Sequence, residues 1–167
     1  MRLDTNDLAK VEQIAALFRA AKAKLGLVES CTGGGLGHAL TSLAGSSEWF
    51  EGGLITYSNR VKMKSVYVRE STLEQQGAVS EDCAKEMANG GMIALGVDCC
   101  LSITGIAGPG GGSADKPVGT VWFGLAVRHR SIEAFCCQFE GDREQVRAKA
   151  IQEGLNILSK VSLRKAV

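Results

Sequence analysis

The stretch Leu25-Gly26-Leu27-Val28-Glu29-Ser30-Cys31-Thr32-Gly33-Gly34-Gly35 decides the fold, because a short apolar run ends in it at polar residues and three glycines. Its first part predicts a strand over Gly26 to Glu29, and the residues that follow predict a helix over Gly35 to Leu43. Ser30 therefore lies at a strand-to-helix turn, where unpaired N–H groups and the helix dipole favour an anion or a developing oxyanion. The alternative is that Ser30 or Thr32 only caps the helix, since both residue types are favoured there.

Strand and helix patterns alternate on both sides of this turn. The other predicted helices are Asp7 to Lys24, a short helix after Ser58-Asn59, one from a Ser71/Glu74 capping box to Gly77, one from Ser80 to Leu95 and one capped by Asp142 and Gln145. The other predicted strands are Gly53 to Tyr57, Asp98 to Thr104, Thr120 to Val127 and Ile132 to Phe139. The last two strands flank a short polar turn and predict an antiparallel hairpin. This order predicts a single domain, residues 1–167, with an α/β fold: a three-layer α/β/α sandwich with a mostly parallel mixed sheet containing an antiparallel strand.

The charge balance excludes several classes of partner. The 167-residue chain has 19 basic and 18 acidic residues, so neither nucleic acid nor an anionic membrane surface is an expected partner. No apolar run reaches the about 18 residues that a bilayer span needs, and the N-terminus lacks the pattern of a signal peptide. The sequence therefore predicts a cytoplasmic protein that binds small ligands.

The cysteines and histidines do not predict a metal site. Six cysteines are present without C-x-x-C spacing, and the only histidines are His38 and His129. In a reducing compartment the cysteines are expected as buried thiols rather than disulfides. The glycine loop from Gly105 to Gly112 lacks both the P-loop pattern and the dinucleotide fingerprint. Neither a metal nor a cofactor is therefore expected.

Candidate site residues follow three predicted strands. Ser30 comes after the first, Tyr57 to Asn59 end the second, and Thr104 to Gly108 end the third. Ligands of open α/β sheets bind at the carboxyl ends of the strands, so we expect these segments to converge on one crevice. The backbone N–H groups around Thr32 to Gly34 are the expected oxyanion donors. The substrate-binding candidates are Thr32, Gly33, Gly34, Asn59, Thr104, Gly105, Ala107, Gly108 and Arg143.

A serine nucleophile needs a base to take its proton, and a lysine is the best-placed candidate. His38 lies two turns into the helix after the serine, and His129 lies in the hairpin turn, away from the strand ends. Lys62 stands at the third helical position after an Asn59 cap, where the helix dipole disfavours its ammonium form. The dipole alone lowers a lysine pKa too little for a base near neutrality, so burial has to contribute. The alternative is that Lys62 is an ordinary solvated lysine. From sequence alone, Lys64 is an equally good candidate for the base.

Two further side chains are open to more than one interpretation. Cys31 at a helix N-terminus is a candidate low-pKa nucleophile, although cysteines are also among the most often buried residues. Because adjacent side chains of an extended segment point to opposite sides, only one of Ser30 and Cys31 is expected to face the crevice. Arg143 is a candidate clamp for a phosphate or carboxylate, or a surface partner for Glu140 or Glu144.

Five motifs, taken in order, resemble the C-terminal domain of CinA. They are Glu29-Ser30-Cys31-Thr32-Gly33-Gly34, Thr56-Tyr57-Ser58-Asn59, Gly77-Ala78-Val79-Ser80, Ser102-Ile103-Thr104-Gly105-Ile106-Ala107-Gly108-Pro109 and Lys116-Pro117-Val118-Gly119-Thr120-Val121. The resemblance implies a nicotinamide mononucleotide deamidase, which hydrolyses the carboxamide to nicotinic acid mononucleotide and ammonia. It places the family's proposed nucleophile on Ser30, its lysine on Lys62 and the tyrosine of the T-Y-S-N motif on Tyr57.

The resulting hypothesis is an amidohydrolase in which Lys62 deprotonates Ser30 and Tyr57 relays a proton or orients the pair. Its expected partner is a small nucleotide substrate. The alternatives are a non-catalytic nucleotide-binding module of the same fold and a thiol enzyme that works through Cys31. A homo-oligomer, with a dimer favoured, is also expected, because such crevices often lie near interfaces.

Overall fold

Strands and helices alternate along the chain as the sequence pattern predicts. The structure, a computed structural model, describes residues 4–163, so the outermost residues of the expected domain lie outside it. The helices are α1 (Thr5–Ala21), α2 (Gly35–Thr41), α3 (Asn59–Val66), α4 (Glu70–Gln76), α5 (Glu81–Leu95) and α6 (Arg143–Ser159). The strands are β1 (Leu25–Glu29), β2 (Phe50–Ile55), β3 (Cys99–Gly105), β4 (Thr120–Val127) and β5 (Glu133–Gln138). None of the described helices has the apolar length that crossing a bilayer requires.

The five strands form one mixed sheet in the order β2-β1-β3-β4-β5. Strand β1 pairs in parallel with both β2 and β3, whereas β4 runs antiparallel to β3 and β5. The antiparallel strand predicted from the hairpin is therefore confirmed. The chain leaves β1 toward β2 on one side and returns to β3 on the other, so a topological switch point lies at the carboxyl end of β1.

Helices cover both faces of the sheet. Alternate side chains of a strand point to opposite faces, and in β1 Leu27 packs in the core cluster of α1, α2 and α6, while Val28 packs in that of α3 and α5. The first cluster is the larger and contains the buried aromatic side chains of Phe18, Trp49 and Phe123. Two apolar layers on either side of one sheet confirm the predicted α/β/α sandwich.

Two adjacent glycines let α5 approach its neighbours closely. A Cβ atom at Gly90 would lie 1.7 Å from the carbonyl oxygen of Val66 on α3, and one at Gly91 would lie 2.2 Å from Cγ2 of Val28 on β1. Both distances are far shorter than van der Waals contact, so a larger residue at either position would push α5 away. The close packing holds α3 against the sheet, which matters because α3 carries Lys62.

Several boundaries differ from the sequence prediction, and two of the differences have a clear structural cause. Strand β2 starts earlier than Gly53, because its pairing with β1 begins at Phe50. Helix α4 begins after Arg69, so the expected capping box at Ser71 is wrong. The carboxylate of Glu86 on α5 accepts hydrogen bonds from the Arg69 N–H and the Thr72 hydroxyl, and this long-range contact fixes the start of α4.

The cysteines are free thiols in two environments. The buried ones are Cys31, Cys83, Cys99 and Cys100, while Cys137 is half-buried and Cys136 is exposed. The expectation of buried thiols is thus wrong for Cys136. The reason is that β5 is an edge strand of the sheet, and Cys136 lies on its exposed side.

Candidate active site

Ser30 lies directly after β1, held by both neighbouring strands. Its N–H donates to the carbonyl oxygen of Ile103 at 2.9 Å, and the N–H of Thr56 donates to the carbonyl oxygen of Glu29 at 2.8 Å. These two bonds continue the pairing of β1 past its last residue. The backbone at Ser30 is therefore fixed, and 8% of the residue is exposed.

The amine of Lys62 reaches Ser30 from α3. Its Nζ lies 2.9 Å from Ser30 Oγ, 2.7 Å from the carbonyl oxygen of Thr56 and 3.3 Å from that of Tyr57. A neutral amine has two N–H donors and one lone pair. When the amine is neutral and the two carbonyls accept both of its N–H groups, its lone pair is left for the Ser30 hydroxyl; when it is charged, Nζ donates to Ser30 Oγ.

Ser58, not Asn59, caps α3. The backbone of Ser58 is extended and its Oγ accepts the N–H of Val61 at 3.3 Å, whereas Asn59 is already helical. Lys62 is therefore the fourth helical residue rather than the third, and its own N–H bonds the carbonyl oxygen of Ser58. Because the dipole effect falls off within the first turn, the helix dipole lowers the pKa of Lys62 less than the position predicted from the sequence implies.

Burial disfavours the charged form of the Lys62 amine. Lys62 is only 1% exposed, and desolvation lowers the pKa of its ammonium group below the ordinary value, against opposing effects of the Cys83 and Cys31 thiols. The alternative of a solvated lysine is therefore wrong. Lys64, the other candidate base from the sequence, is exposed.

The buried amine also predicts a pH-dependent stability difference between the wild type and Lys62→Met. Below the ordinary lysine pKa the unfolded chain binds a proton at Lys62, while the folded chain binds it only below its lowered pKa. The wild type therefore loses stability relative to Lys62→Met as pH falls through that window, by at most about 1.4 kcal/mol per pH unit. Urea unfolding at several pH values measures the difference. A difference independent of pH would contradict the lowered pKa of Lys62.

The buried carboxylate of Glu29 fixes the glycine turn. Its Oε2 accepts the N–H groups of Gly34 at 3.0 Å and Leu36 at 3.2 Å, and its Oε1 accepts that of Gly37 at 2.8 Å. Glu29 is 2% exposed. The protein's own carboxylate thus occupies N–H groups at the start of α2, so the expectation that these groups bind a ligand is wrong.

The expectation that Gly33 and Gly34 are oxyanion donors is also wrong, because both N–H groups are already bonded within the protein. The N–H of Gly34 is bonded to Glu29, and that of Gly33 donates to the carbonyl oxygen of Ser30 at 3.0 Å. Within residues 4–163, the N–H groups of Cys31 and Thr32 have no hydrogen-bond acceptor. Both residues directly follow Ser30 in the chain.

Arg147 holds the turn from its other side. Its Nε donates to the carbonyl oxygen of Cys31 at 3.1 Å, and its Nη2 donates to that of Thr32 at 3.0 Å. Sequence reasoning misses both Arg147 and Glu29 as site residues. A signal exists for each, because Arg147 lies one helical turn after Arg143 on the same face, and Glu29 directly precedes the serine of a glycine-rich turn.

Cys31 is a poor thiolate nucleophile. Burial raises the pKa of its thiol to about 11, so the thiolate is scarce at neutral pH. Cys31 and Ser30 both line the pocket. The expectation that only one of them faces it is wrong, because the extended backbone of β1 ends at Glu29.

The reaction pocket has a volume of about 210 Å³. Of the sequence candidates it brings together Ser30, Lys62, Tyr57, Thr104, Gly105, Ala107 and Arg143. Thr104 is buried and its hydroxyl donates to the carbonyl oxygen of Ala78 at 2.8 Å. Its side chain therefore shapes the pocket wall, with its hydrogen already used.

Arg143 spans the pocket mouth. Its Nη1 donates to the carbonyl oxygen of Gly108 at 2.8 Å, and its Nη2 donates to the hydroxyl of Tyr57 at 3.2 Å. No ion pair joins Arg143 to Glu140 or Glu144 in the part of the chain that the structure describes, so the surface-partner alternative is wrong. The guanidinium instead links Tyr57, after β2, to the glycine loop after β3.

Asn59 lies apart from this pocket. It is exposed and lines a separate depression with Met63, Glu70, Leu73 and Glu74. Its expected contact with the substrate is therefore not supported by its position. Among the described residues, no group of three or more His, Cys, Asp or Glu side chains is arranged to hold a metal ion.

Known proteins resemble this chain over most of its length. The family described as the CinA C-terminal domain matches residues 7–162. A protein of Enterobacter agglomerans named nicotinamide-nucleotide amidohydrolase PncC is 51% identical over 138 residues, which cover 83% of this chain and 84% of the relative. A protein with the same name from Escherichia coli K12 is 49% identical over 148 residues, which cover 88% of this chain and 89% of the relative.

A solved structure has the same fold. The crystal structure of a competence-damaged protein (CinA) superfamily protein from Klebsiella pneumoniae superimposes with a TM-score of 0.88 at 36% sequence identity. The alignment covers 93% of this chain and 97% of that one.

Proposed function

This chain belongs to the CinA C-terminal domain family, and from that premise we propose that it hydrolyses the carboxamide of nicotinamide mononucleotide to nicotinic acid mononucleotide and ammonia. The two relatives named as nicotinamide-nucleotide amidohydrolases support this substrate. The observation that carries the chemistry is the buried Lys62 amine, 2.9 Å from Ser30 Oγ.

The proposed reaction is a two-step acyl transfer. The lone pair of Lys62 takes the Ser30 proton while Oγ bonds to the carboxamide carbon. The C–N bond then breaks, and Lys62 returns the proton to the leaving nitrogen, which departs as ammonia. In the second step Lys62 deprotonates a water that attacks the acyl carbon, and Ser30 leaves with its proton restored.

The oxyanion of each tetrahedral intermediate needs donors next to Ser30. We assign this role to the N–H groups of Cys31 and Thr32, since those of Gly33 and Gly34 are already bonded. A single such donor stabilises the transition state by about 2.7 to 4 kcal/mol in other hydrolases. Tyr57 contacts Lys62 through its backbone carbonyl, which accepts a hydrogen bond from Nζ, whereas its hydroxyl accepts one from Arg143.

We further propose that Arg143 binds the phosphate of the substrate at the pocket mouth, where the glycine loop from Thr104 to Gly108 accommodates the nucleotide. Arg143→Ala should then reduce kcat/KM for the mononucleotide by about 1.5 to 3 kcal/mol, the scale of a hydrogen bond to a charged group. Hydrolysis of nicotinamide riboside, which has no phosphate, should change little. Steady-state kinetics on both substrates measures this, and an equal loss on both would assign Arg143 to the fold or the chemistry.

An ammonia-release assay tests the proposed function itself. The wild type should release one ammonia per mononucleotide consumed and form the corresponding acid. The rival function, a nucleotide-binding module without turnover, predicts stoichiometric binding and no ammonia. The rival thiol mechanism is disfavoured by the raised pKa of Cys31.

The remaining proposals concern the cellular compartment, the oligomeric state and the partner. We propose the cytoplasm as the compartment, since all six cysteines have free thiols. We also propose a homo-oligomer, with a dimer as the first expectation, and a small nucleotide as the physiological partner.

A further inference from the structure

A second, larger cleft adjoins the reaction pocket. It has a volume of about 540 Å³ and lies between the glycine turn, Gly33 to Gly35, and the first two turns of α6. Its charged and polar wall residues are His38, Arg143, Glu144 and Arg147. Arg143 also lines the reaction pocket, so the two spaces meet at this side chain.

The sizes of the two spaces indicate that a nucleotide occupies both. Pockets for ligands of this kind usually have volumes of about 300 to 1,000 Å³. The reaction pocket, at about 210 Å³, lies below that range, whereas the adjoining cleft at about 540 Å³ lies within it. With the carboxamide at Ser30, the rest of a mononucleotide has to extend past Arg143.

The charges of the cleft suit an anion. Two guanidinium groups, those of Arg143 and Arg147, face one acidic wall residue, the exposed Glu144. The buried carboxylate of Glu29 bonds three N–H groups of the turn. The wall of the cleft therefore carries a net positive charge.

Arg147 connects this cleft to the nucleophile. Its Nε and Nη2 donate to the carbonyl oxygens of Cys31 and Thr32, the two residues that follow Ser30. Its Nη1 makes no hydrogen bond within the described range. One edge of the guanidinium thus holds the turn, and further N–H donors remain for a ligand in the cleft.

We propose that this cleft is the phosphate subsite and that Arg147 binds the phosphate there together with Arg143, an inference that rests on the proposed hydrolysis of the mononucleotide. Arginine suits this task because its planar donors match phosphate oxygens. A phosphate on Arg147 also stabilises the guanidinium in the position that fixes the Cys31 and Thr32 backbone. Phosphate binding then contributes to kcat as well as to KM, since it supports the groups that act in the transition state.

An assay that supplies the two parts of the substrate as separate molecules tests this inference. Nicotinamide riboside supplies the amide and inorganic phosphate supplies the missing anion, so phosphate should accelerate riboside hydrolysis by the wild type in a saturable manner. In Arg147→Ala this activation should disappear, and the ratio of kcat/KM for mononucleotide over riboside should fall about tenfold or more. Arg147→Lys, which keeps the charge, should retain part of the activation.

Lys149→Ala is the matched control, because Lys149 lies on α6 but bonds the carbonyl oxygen of Glu140, outside the cleft. It should leave both the ratio and the activation unchanged. An Arg147→Ala enzyme with the wild-type ratio would overturn the phosphate role and leave Arg147 as a support of the turn. A wild type that releases no ammonia from the mononucleotide would instead overturn the proposed function.

Discussion

Ser30→Ala is expected to lower kcat by about 10³-fold or more while nucleotide binding and folding are preserved. The change removes the Oγ that forms the acyl bond in the proposed mechanism, and the loss of a covalent route costs at least about 4 kcal/mol of transition-state stabilisation. Folding should survive, because the backbone bonds of Ser30 to its neighbours do not involve the hydroxyl. Ammonia release and equilibrium binding of the mononucleotide, measured on the same preparation, give the two quantities.

Cys31→Ser is the control for this prediction. The pKa of the Cys31 thiol is raised to about 11 by burial, so its removal should leave turnover within a few-fold of the wild type. Activity near the wild-type level in Ser30→Ala, together with its loss in Cys31→Ser, would assign the nucleophile to the cysteine.

Lys62→Arg is expected to reduce turnover by about 10² to 10⁴-fold, the usual contribution of general acid–base catalysis. Arginine keeps the positive charge, but it does not lose a proton in proteins. Because the longer side chain enters a site that is 1% exposed, Lys62→Met serves as a second, smaller replacement. Lys64→Met, on the same helix and exposed, should remain fully active.

The wild-type pH profile gives an independent measurement of the same base. The proposed mechanism uses neutral Lys62, so kcat/KM should rise with pH as the free enzyme loses the Lys62 proton. Burial lowers the pKa of that group, so the rise should be complete below the ordinary lysine value. A limb at the ordinary lysine pKa would argue against the buried base.

Local sequence patterns predict the fold well, because the spacing of apolar residues within an element indicates which of its side chains are buried. The apolar run before Ser30 and the hairpin around His129 both become strands with the predicted pairing. The cap of α3 was misassigned by one residue, since Ser58 and Asn59 are both good capping residues. Sequence alone does not distinguish which of two neighbours has extended backbone.

The site was predicted less completely, because its supporting contacts are distant in sequence. The turn geometry suggests Ser30 and Lys62, but the burial of Lys62 depends on α5, whose Gly90 permits close contact with α3. Arg147 contacts the backbone of Cys31, 116 residues away. Glu29 is close in sequence to the turn. Its carboxylate, however, accepts hydrogen bonds from N–H groups that the sequence pattern predicts to bind a ligand.

The Glu29 carboxylate has a consequence for the end of the reaction cycle. Its field already opposes ionisation of the neighbouring Cys31 thiol, whose pKa it helps to raise. The proposed substrate presents a neutral amide at Ser30, the residue after Glu29, whereas the acid product presents a second carboxylate there. Two like charges at short range repel each other most strongly where water is scarce. Hydrolysis itself therefore creates the charge that weakens binding, so that the turn which holds the nucleophile also favours release of the acid.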